Sequence, residues 1–334
     1  MPVTLAQAKL NAVDDISTEV IDEFRKESVL LEAMTFDDVV NPGGSGSTLT
    51  YGYTRLLTQP TAAFRAINAE YTPQEVTKAR VTVDLKPLGG SFQIDRVLDQ
   101  VAAGAETALQ ISQKVKAAKT LFADAMINGD TAVDANSFDG LKKALAGSTT
   151  EMNPTGPITD WTAATTEDVA FGRLDVLDQL LATVDGGVTF IIANKLALAK
   201  VRGAARRAHL VTVEDEQLLN SDIRVRIERY GGVVLVDPGQ KAGLTTDIIP
   251  IETRDPDGAG AIPSTPGLTD IYAVRFGLDG FHGISTVGGE LVHQWLPDFS
   301  VAGAVKTGEV ELGPVAVALK ATKAAAVLKH VKVV

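Results

Sequence analysis

Ile127-Asn128-Gly129-Asp130, followed shortly by Phe138-Asp139-Gly140-Leu141 and then by Ala146-Gly147, divides the chain into two unlike parts. Before it, from Asp95 to Asn128, the pattern has helical spacing: Val97, Val101, Ala105, Ala108, Ser112, Val115, Lys119, Phe122 and Met126 mark one face, and Leu98, Leu109, Ile111, Ala118 and Leu121 widen it. Gly104 costs such a helix about 1 kcal/mol relative to alanine, and Asn128-Gly129-Asp130 supplies the stop. After it comes a second helix, Asp168 to Val184, with Thr165 or Thr166 as N-cap and Gly186-Gly187 at its end. That helix feeds a buried strand, Val188 to Ala193, and Asn194 then caps a helix from Lys195 to Ala208.

Strands at Ile223–Ile227, Val233–Val236 and Ile271–Arg275 continue this alternation, with a surface loop at Asp255–Thr269. Glu309–Leu319 and Ala326–Val333 have strand character broken by Gly313-Pro314, and are expected to return onto the long helix. On the other side of the helix, Leu49, Tyr51 and Tyr53 alternate with polar residues, as do Val81, Val83 and Leu85. Between these two strands Leu57 to Val76 carries Pro60 and Pro73 and little periodicity, the pattern of a long hairpin reaching away from the body. Asn41-Pro42-Gly43-Gly44-Ser45-Gly46-Ser47 is a hinge. It lacks the Gly-Lys-Ser/Thr that a phosphate loop requires. Ahead of it, Ile16, Val20, Ile21, Phe24, Val29, Leu30, Leu31 and Met34 form the apolar face of an arm that needs a partner.

The chain has 334 residues, 45% hydrophobic and 22% charged, with 30 Gly and no Cys. Disordered, collagenous and disulfide-stapled classes are excluded, and two domains are expected at this length. The formal charge of -11 repels phosphate backbones over the surface as a whole. The beginning, Met1 to Lys9, does not read as a signal peptide. The apolar stretch Val315 to Val334 is interrupted by Lys320, Lys323, Lys329, His330 and Lys332, so no membrane span is expected.

Chemistry-bearing motifs are missing. His209, His282, His293 and His330 have no partners at metal-ligand spacing, so neither a metal nor a cofactor is expected. Gly283 to Gly288 holds Ser285 but not the Gly-x-Ser-x-Gly of a nucleophile elbow, and reads as a turn between strands. Asp255-Pro256-Asp257-Gly258 begins like a calcium loop, yet Ala259 and Pro266 stand where ligands are needed, which leaves at most a loose cation site. Lys195, Lys200, Arg202, Arg206 and Arg207 make a basic cluster, and Glu214-Asp215-Glu216 follows closely, favouring charge pairing over phosphate binding. No enzymatic activity is expected.

In its order of elements the chain resembles the major capsid proteins of tailed double-stranded DNA phages, the Hong Kong 97-type coat fold. The likeness rests on the arm, the extended loop, the long helix, the Asn-Gly-Asp turn with its Phe-Asp-Gly-Leu segment, and the strand ending in Ala193-Asn194. It implies an α+β fold with an N-terminal arm (1–45), an extended β-hairpin loop (46–93), a peripheral domain with a spine helix (94–186), an axial α/β domain (187–292) and a C-terminal return to the peripheral domain (293–334).

The implied function is structural: self-assembly as hexamers and pentamers into an icosahedral shell that encloses double-stranded DNA without sequence-specific binding. Implied partners are scaffolding, portal and decoration proteins; no membrane is involved. The implied location is the virion, with assembly in the host cytoplasm. Encapsulin-type bacterial nanocompartment shells share the fold and stand as the alternative. Some relatives join a loop lysine to a neighbour's asparagine, but here Thr58 to Thr72 holds Arg65 and no lysine, so a shell without crosslinks is expected. Candidate contacts between subunits are Phe24, Leu30, Arg55, Leu56, Leu57, Phe64, Arg65, Arg202, Arg206 and Arg207. Among them the apolar ones should matter more than Arg55 and Arg65, because exposed ion pairs contribute only about 0–1 kcal/mol each.

Overall fold

A computed structural model describes residues 29–40, 49–101, 105–163, 166–209, 211–217, 224–286 and 291–334. The chain enters on a short helix, α1 (Val29–Ala33), and strand β1 (Phe36–Val40). The hairpin follows as β2 (Thr50–Leu56) and β3 (Lys78–Asp84), antiparallel and in register from Thr50 opposite Asp84 to Leu56 opposite Lys78. Next come β4 (Lys86–Asp95), α2 (Arg96–Val101) and the long helix α3 (Ala105–Asn128). The expected single helix from Asp95 is thus two described segments, and Gly104 lies outside the described residues. A crossing region of α4 (Leu141–Leu145), β5 (Glu151–Met152) and β6 (Thr159–Asp160) leads to α5 (Glu167–Ala182), β7 (Phe190–Ala193) and α6 (Lys195–Arg207). The rest is strand: β8 (Val211–Gln217), β9 (Arg224–Tyr230), β10 (Val233–Val236), β11 (Glu252–Arg254), β12 (Thr265–Val274), β13 (Phe281–Thr286), β14 (Val292–Trp295), β15 (Val305–Leu319) and β16 (Ala325–Lys332).

These strands form two sheets besides the hairpin. The larger runs β5-β16-β12-β7-β10-β9-β8, with β11 beside β12 and β6 beside β16. Its central strands are apolar on both faces, and the period of two sorts their side chains cleanly. Ile191, Ala193, Ile271, Ala273, Ala326 and Leu328 face a core shared with α5 and α6, while Ile192, Tyr272, Val274, Ala325 and Val327 face a core shared with α3, α4 and the second sheet. The helices on the first face start where expected: Thr166 Oγ1 accepts from Val169 N at 3.4 Å, and Asn194 Oδ1 from Leu196 N at 3.0 Å.

The second sheet runs β1-β13-β15-β14, with β4 also paired to β15. Two expectations change here. Residues 86–95 are not part of the extended loop but pair along β15 from Lys86 opposite Val315 to Asp95 opposite Val305, so the hairpin proper ends at Asp84. The turn expected from Gly283 is instead strand β13, paired to β15 in this sheet. Strand β15 packs on α3 as expected, and β16, inside the larger sheet between β5 and β12, turns Ala325 and Val327 into the core that it shares with α3. The strand pairing therefore crosses the expected division at 292/293. The C-terminus closes against the same sheet, where Val333 N donates to Gly267 O at 2.9 Å and Gly267 holds φ +81°.

The Asn-Gly-Asp and Phe-Asp-Gly-Leu segments are explained by close approach. Gly129 N donates to Ala125 O at 2.8 Å, and Gly140 N to Gly129 O at 2.9 Å, so the second segment caps the end of α3. A Cβ on Gly140 would lie 2.5 Å from Ala125 O, and one on Gly129 would lie 2.2 Å from Phe138 O. Asp139 Oδ1 accepts from Thr131 N at 2.8 Å, and Asn128 Nδ2 donates to Asp124 Oδ1 and to Ile248 O, each at 2.7 Å. Phe138 is then buried beside Phe122, their ring centres 5.7 Å apart. Gly140→Ala should destabilise the subunit by about 1–3 kcal/mol through backbone overlap. Gly172→Ala, on the open face of α5 with no atom within 4 Å of the new carbon, should instead stabilise it by about 0.5–1 kcal/mol. Denaturant unfolding of the two variants checks the opposite signs.

Candidate assembly surface

The hairpin is fixed at its root by side chains whose partners lie far along the chain. Tyr53 Oη donates to Leu319 O at 3.0 Å, while Arg55 donates from Nη2 to Leu319 O at 2.7 Å and from Nε to Lys320 O at 3.1 Å. The Arg55 guanidinium also lies 5.8 Å from the Tyr53 ring centre. Arg55 thus donates, within its own subunit, to the carbonyls where β15 ends. Beside it, Tyr51 Oη donates to Asp37 Oδ2 at 2.8 Å, and Lys320 Nζ stands 3.5 Å from the same oxygen. His282, with no exposed surface, packs edge-on against Tyr51, and its Nε2 lies 4.0 Å from Asp37 Oδ2. Four separate segments thus meet at one polar junction.

Beyond Leu56 the backbone ladder gives way to side chains. Leu57 N donates to Thr77 O at 2.9 Å, Thr77 N to Thr58 Oγ1 at 3.0 Å, and Thr61 N to Gln74 Oε1 at 2.6 Å. At the tip, Arg65 Nη1 donates to Ala69 O at 3.1 Å and its guanidinium covers Tyr71 at 5.5 Å. The apolar residues of this segment have nothing to pack on. Phe64 is 108% exposed and Ile67 92%, and Leu56, Leu57 and Tyr71 are exposed as well. Such a run of bare apolar side chains makes the outer hairpin the candidate interaction surface.

The other sequence candidates separate by location. Leu30 is only 1% exposed and packs inside the subunit's own core, so burial removes it from the contact surface; Phe24 lies outside the described residues. Arg202 pairs with Glu228 at 3.3 Å, an acid outside the Glu214–Glu216 run, while Arg206 and Arg207 are exposed, the latter donating to Gly203 O at 3.0 Å. The side chains of Glu214, Asp215 and Glu216 lie outside the described set. In the calcium-like loop, Asp257 accepts from the N–H groups of Ala259, Gly260 and Ile262, and Asp255 from Gly260, so these carboxylates are spent on the loop's own backbone. Among the described residues no group of three or more acidic or histidine side chains is placed to hold a metal. Nor is any described helix long and apolar enough to cross a membrane. What sequence reading missed is the junction of Asp37, Tyr51, His282 and Lys320; the alternation of Tyr51 and Tyr53 was its only local sign.

Two predictions concern the root. Arg55→Ala leaves the Leu319 and Lys320 carbonyls short of donors and should cost about 1–3 kcal/mol, read as faster amide hydrogen exchange across β2 and β3. Acid should also weaken this junction in two steps. Burial and the nearby Lys320 charge hold the His282 pKa below its usual 6.5 against the opposing pull of Asp37. Burial works against the Asp37 carboxylate, but hydrogen bonds from Tyr51 and Val39 N–H and the Lys320 charge hold its pKa below 3.8. In both windows the unfolded chain binds the proton more readily, so stability falls as pH drops from 6.5 toward the lowered His282 value, and falls again below 3.8. Denaturation of a His282→Phe variant should lose the first limb and keep the second.

No protein-family model and no curated protein matches the amino-acid sequence. Solved structures do match along the whole chain. A capsid chain of the native GTA particle aligns at TM-score 0.60 and 15% identity, over 98% of this chain and 97% of that one. The encapsulin of the holo-SrpI complex from Synechococcus elongatus PCC 7942 aligns at TM-score 0.57 and 15% identity, over 100% and 97%. The capsid of Myoviridae Phage XM1 aligns at TM-score 0.57 and 10% identity, over 98% and 99%. At these identities the likeness concerns architecture, and by that architecture the chain has the Hong Kong 97-type coat fold.

Proposed function

We propose that this chain is the structural subunit of a phage capsid, assembling as hexamers and pentamers into an icosahedral shell around double-stranded DNA. The observation that carries the reading is the hairpin tip, whose Phe64, Ile67 and Tyr71 cannot be buried within the subunit, on a fold shared with capsid chains. A bare apolar surface on one part of the molecule meeting a different surface on a neighbour gives heterologous contacts, which close into rings and extend into curved sheets. Scaffolding, portal and decoration proteins would be its partners, and the virion its location. The acidic balance of -11 favours enclosure of DNA over tight binding to it. The role is structural and asks for no catalysis. Without a lysine between Thr58 and Thr72, the shell would be held by noncovalent contacts at the tip.

A second reading, an encapsulin-type nanocompartment shell, is favoured by the encapsulin that aligns over the full chain. Electron microscopy and nuclease-protected nucleic acid in purified particles separate the two: DNA inside supports the capsid, a protein cargo the compartment, and a persistent monomer or dimer overturns both. A Phe64→Asp/Ile67→Asp double variant should abolish particles or rings while leaving the subunit's thermal unfolding unchanged, because both side chains are exposed. Sedimentation paired with calorimetry checks this, and normal particles from the variant would remove the hairpin from the assembly surface.

A further inference from the structure

Two carboxylates stand on the face of the second sheet that is turned away from α3. Gly90 faces that helix, since a Cβ there would lie 3.5 Å from Lys114 Cδ, and Phe92, Val310 and Leu312 on the same side are buried. The period of two then turns Ser91 of β4 outward, together with Glu309, its partner on β15, and Trp295, the partner of Glu309 on β14. Glu311 and its β14 partner His293 stand one step along, and the His293 and Trp295 rings lie 6.0 Å apart. A groove of about 250 Å³ runs over Ser91, Glu309 and Glu311, and Trp295 beside it is half exposed. Among the described residues no cation pairs with Glu309 or Glu311. The site suits two cations about 7 Å apart, the spacing of every second residue along a strand, with Trp295 as an aromatic face for one of them.

We propose that the hairpin of a second copy lies on this face, with its Lys78 and Arg80 against Glu309 and Glu311. Tyr51, Tyr53 and Arg55 turn one side of the hairpin to the body, so Lys78 and Arg80 stand outward on the other. They are two positions apart on β3, the same interval as the two glutamates on β15. Arg80 lies over Gly52, where a Cβ would be 3.1 Å from its Nη2, and among the described residues neither cation has a carboxylate partner. The hairpin's acids are placed elsewhere: Asp84, near the root, accepts from Thr50 Oγ1 at 2.7 Å, and Glu70 and Glu75 lie farther toward the tip. The exposed Arg206 and Arg207 do not repeat the interval, because consecutive helical residues diverge by about 100°. The subunit's own hairpin is pinned at Leu319, ten positions along β15 from Glu309, roughly 33 Å. The contact therefore calls for another copy, and since its two surfaces differ it can pass from copy to copy. The inference deepens the shell reading and rests on it: the tip supplies apolar area, and the charge pairs fix where along the neighbour's sheet the hairpin lies.

The test is zero-length carbodiimide crosslinking of the full chain, with light and ¹⁵N-labelled protein mixed before any assembly, read by mass spectrometry beside electron microscopy of the same sample. Mixed-isotope links from Lys78 to Glu309 or Glu311 are expected. The Lys143–Asp139 pair, 3.2 Å apart, supplies the same-isotope control. Control links without Lys78 links to these glutamates overturn the proposal, and Lys78 links confined to one isotope class overturn the second copy. A Lys78→Glu/Arg80→Glu variant sets four carboxylates together and should lower the yield of particles or rings by about tenfold or more, with thermal unfolding unchanged. Adding Glu309→Lys and Glu311→Lys should restore them. Undiminished assembly of the first variant, or no rescue by a normally unfolding quadruple variant, also overturns the pairing. Particles without the Lys78 links bring down this proposal and leave the shell reading standing; links in a sample that forms neither particles nor rings do the reverse.

Discussion

Every backbone N–H and C=O of a long buried strand must find a partner, and β15, from Val305 to Leu319, makes that demand in the middle of the molecule. Its first part is met by β4 on one edge and β14 on the other; its last residues, from Ala316, are met by β13. Between these regimes the register shifts at Leu312/Val315, where Gly313-Pro314 stands and proline has no N–H to offer. At the far end the carbonyls of Leu319 and Lys320 run out of strand partners, and Tyr53 and Arg55 of the hairpin supply the donors. The position of the hairpin, the placement of β1 beside β13 and the burial of α3 against β15 all follow from how this one strand is satisfied.

Local rules read much of this directly. The caps at Thr166 and Asn194, the glycine stop after α3 and the interruption at Gly313-Pro314 each have a nearby cause, and each appears where its residue type predicts. The hairpin is equally plain, since Tyr51 and Val83 pair as their alternation requires. Strand β4 is harder because Gly89-Gly90 looks like a strand breaker. In fact a Cβ on Gly89 would lie 2.3 Å from Val310 O, so the glycine permits the pairing it seems to forbid. Strand β16 is apolar on both faces, and such a strand carries no sign of which elements flank it.

The misplaced site residues share a different cause. Arg55 sits on an alternating strand and looks free to meet a neighbour, yet its acceptors are 264 and 265 positions away in sequence. Leu30 belongs by pattern to an arm, and only the packing of α1 shows that the arm has already been gathered into the core at that point. His282 is a lone histidine with no motif around it. Its importance comes wholly from the chain segments that converge on it. The exposed tip was readable only in part: Phe64 answers to no internal periodicity, while the equally bare Ile67 gave no signal that singled it out.

The hairpin also has a mechanical character. Near the body its arms are joined by a continuous backbone ladder and bolted to β15 by a guanidinium; farther out the Leu57–Thr77 backbone bond and the Thr58–Thr77 and Thr61–Gln74 side-chain bonds tie them; at the tip there are the local Arg65 clasp and the Ala69–Ala66 turn. Stiffness therefore declines along its length, like that of a tapered beam. A load applied at the tip bends the outer part first, and torque reaches the central sheet only after the softer section has yielded. On the shell reading, chemically identical copies at sites of unequal curvature can each absorb the misfit in the outer hairpin, leaving the body of the subunit the same everywhere.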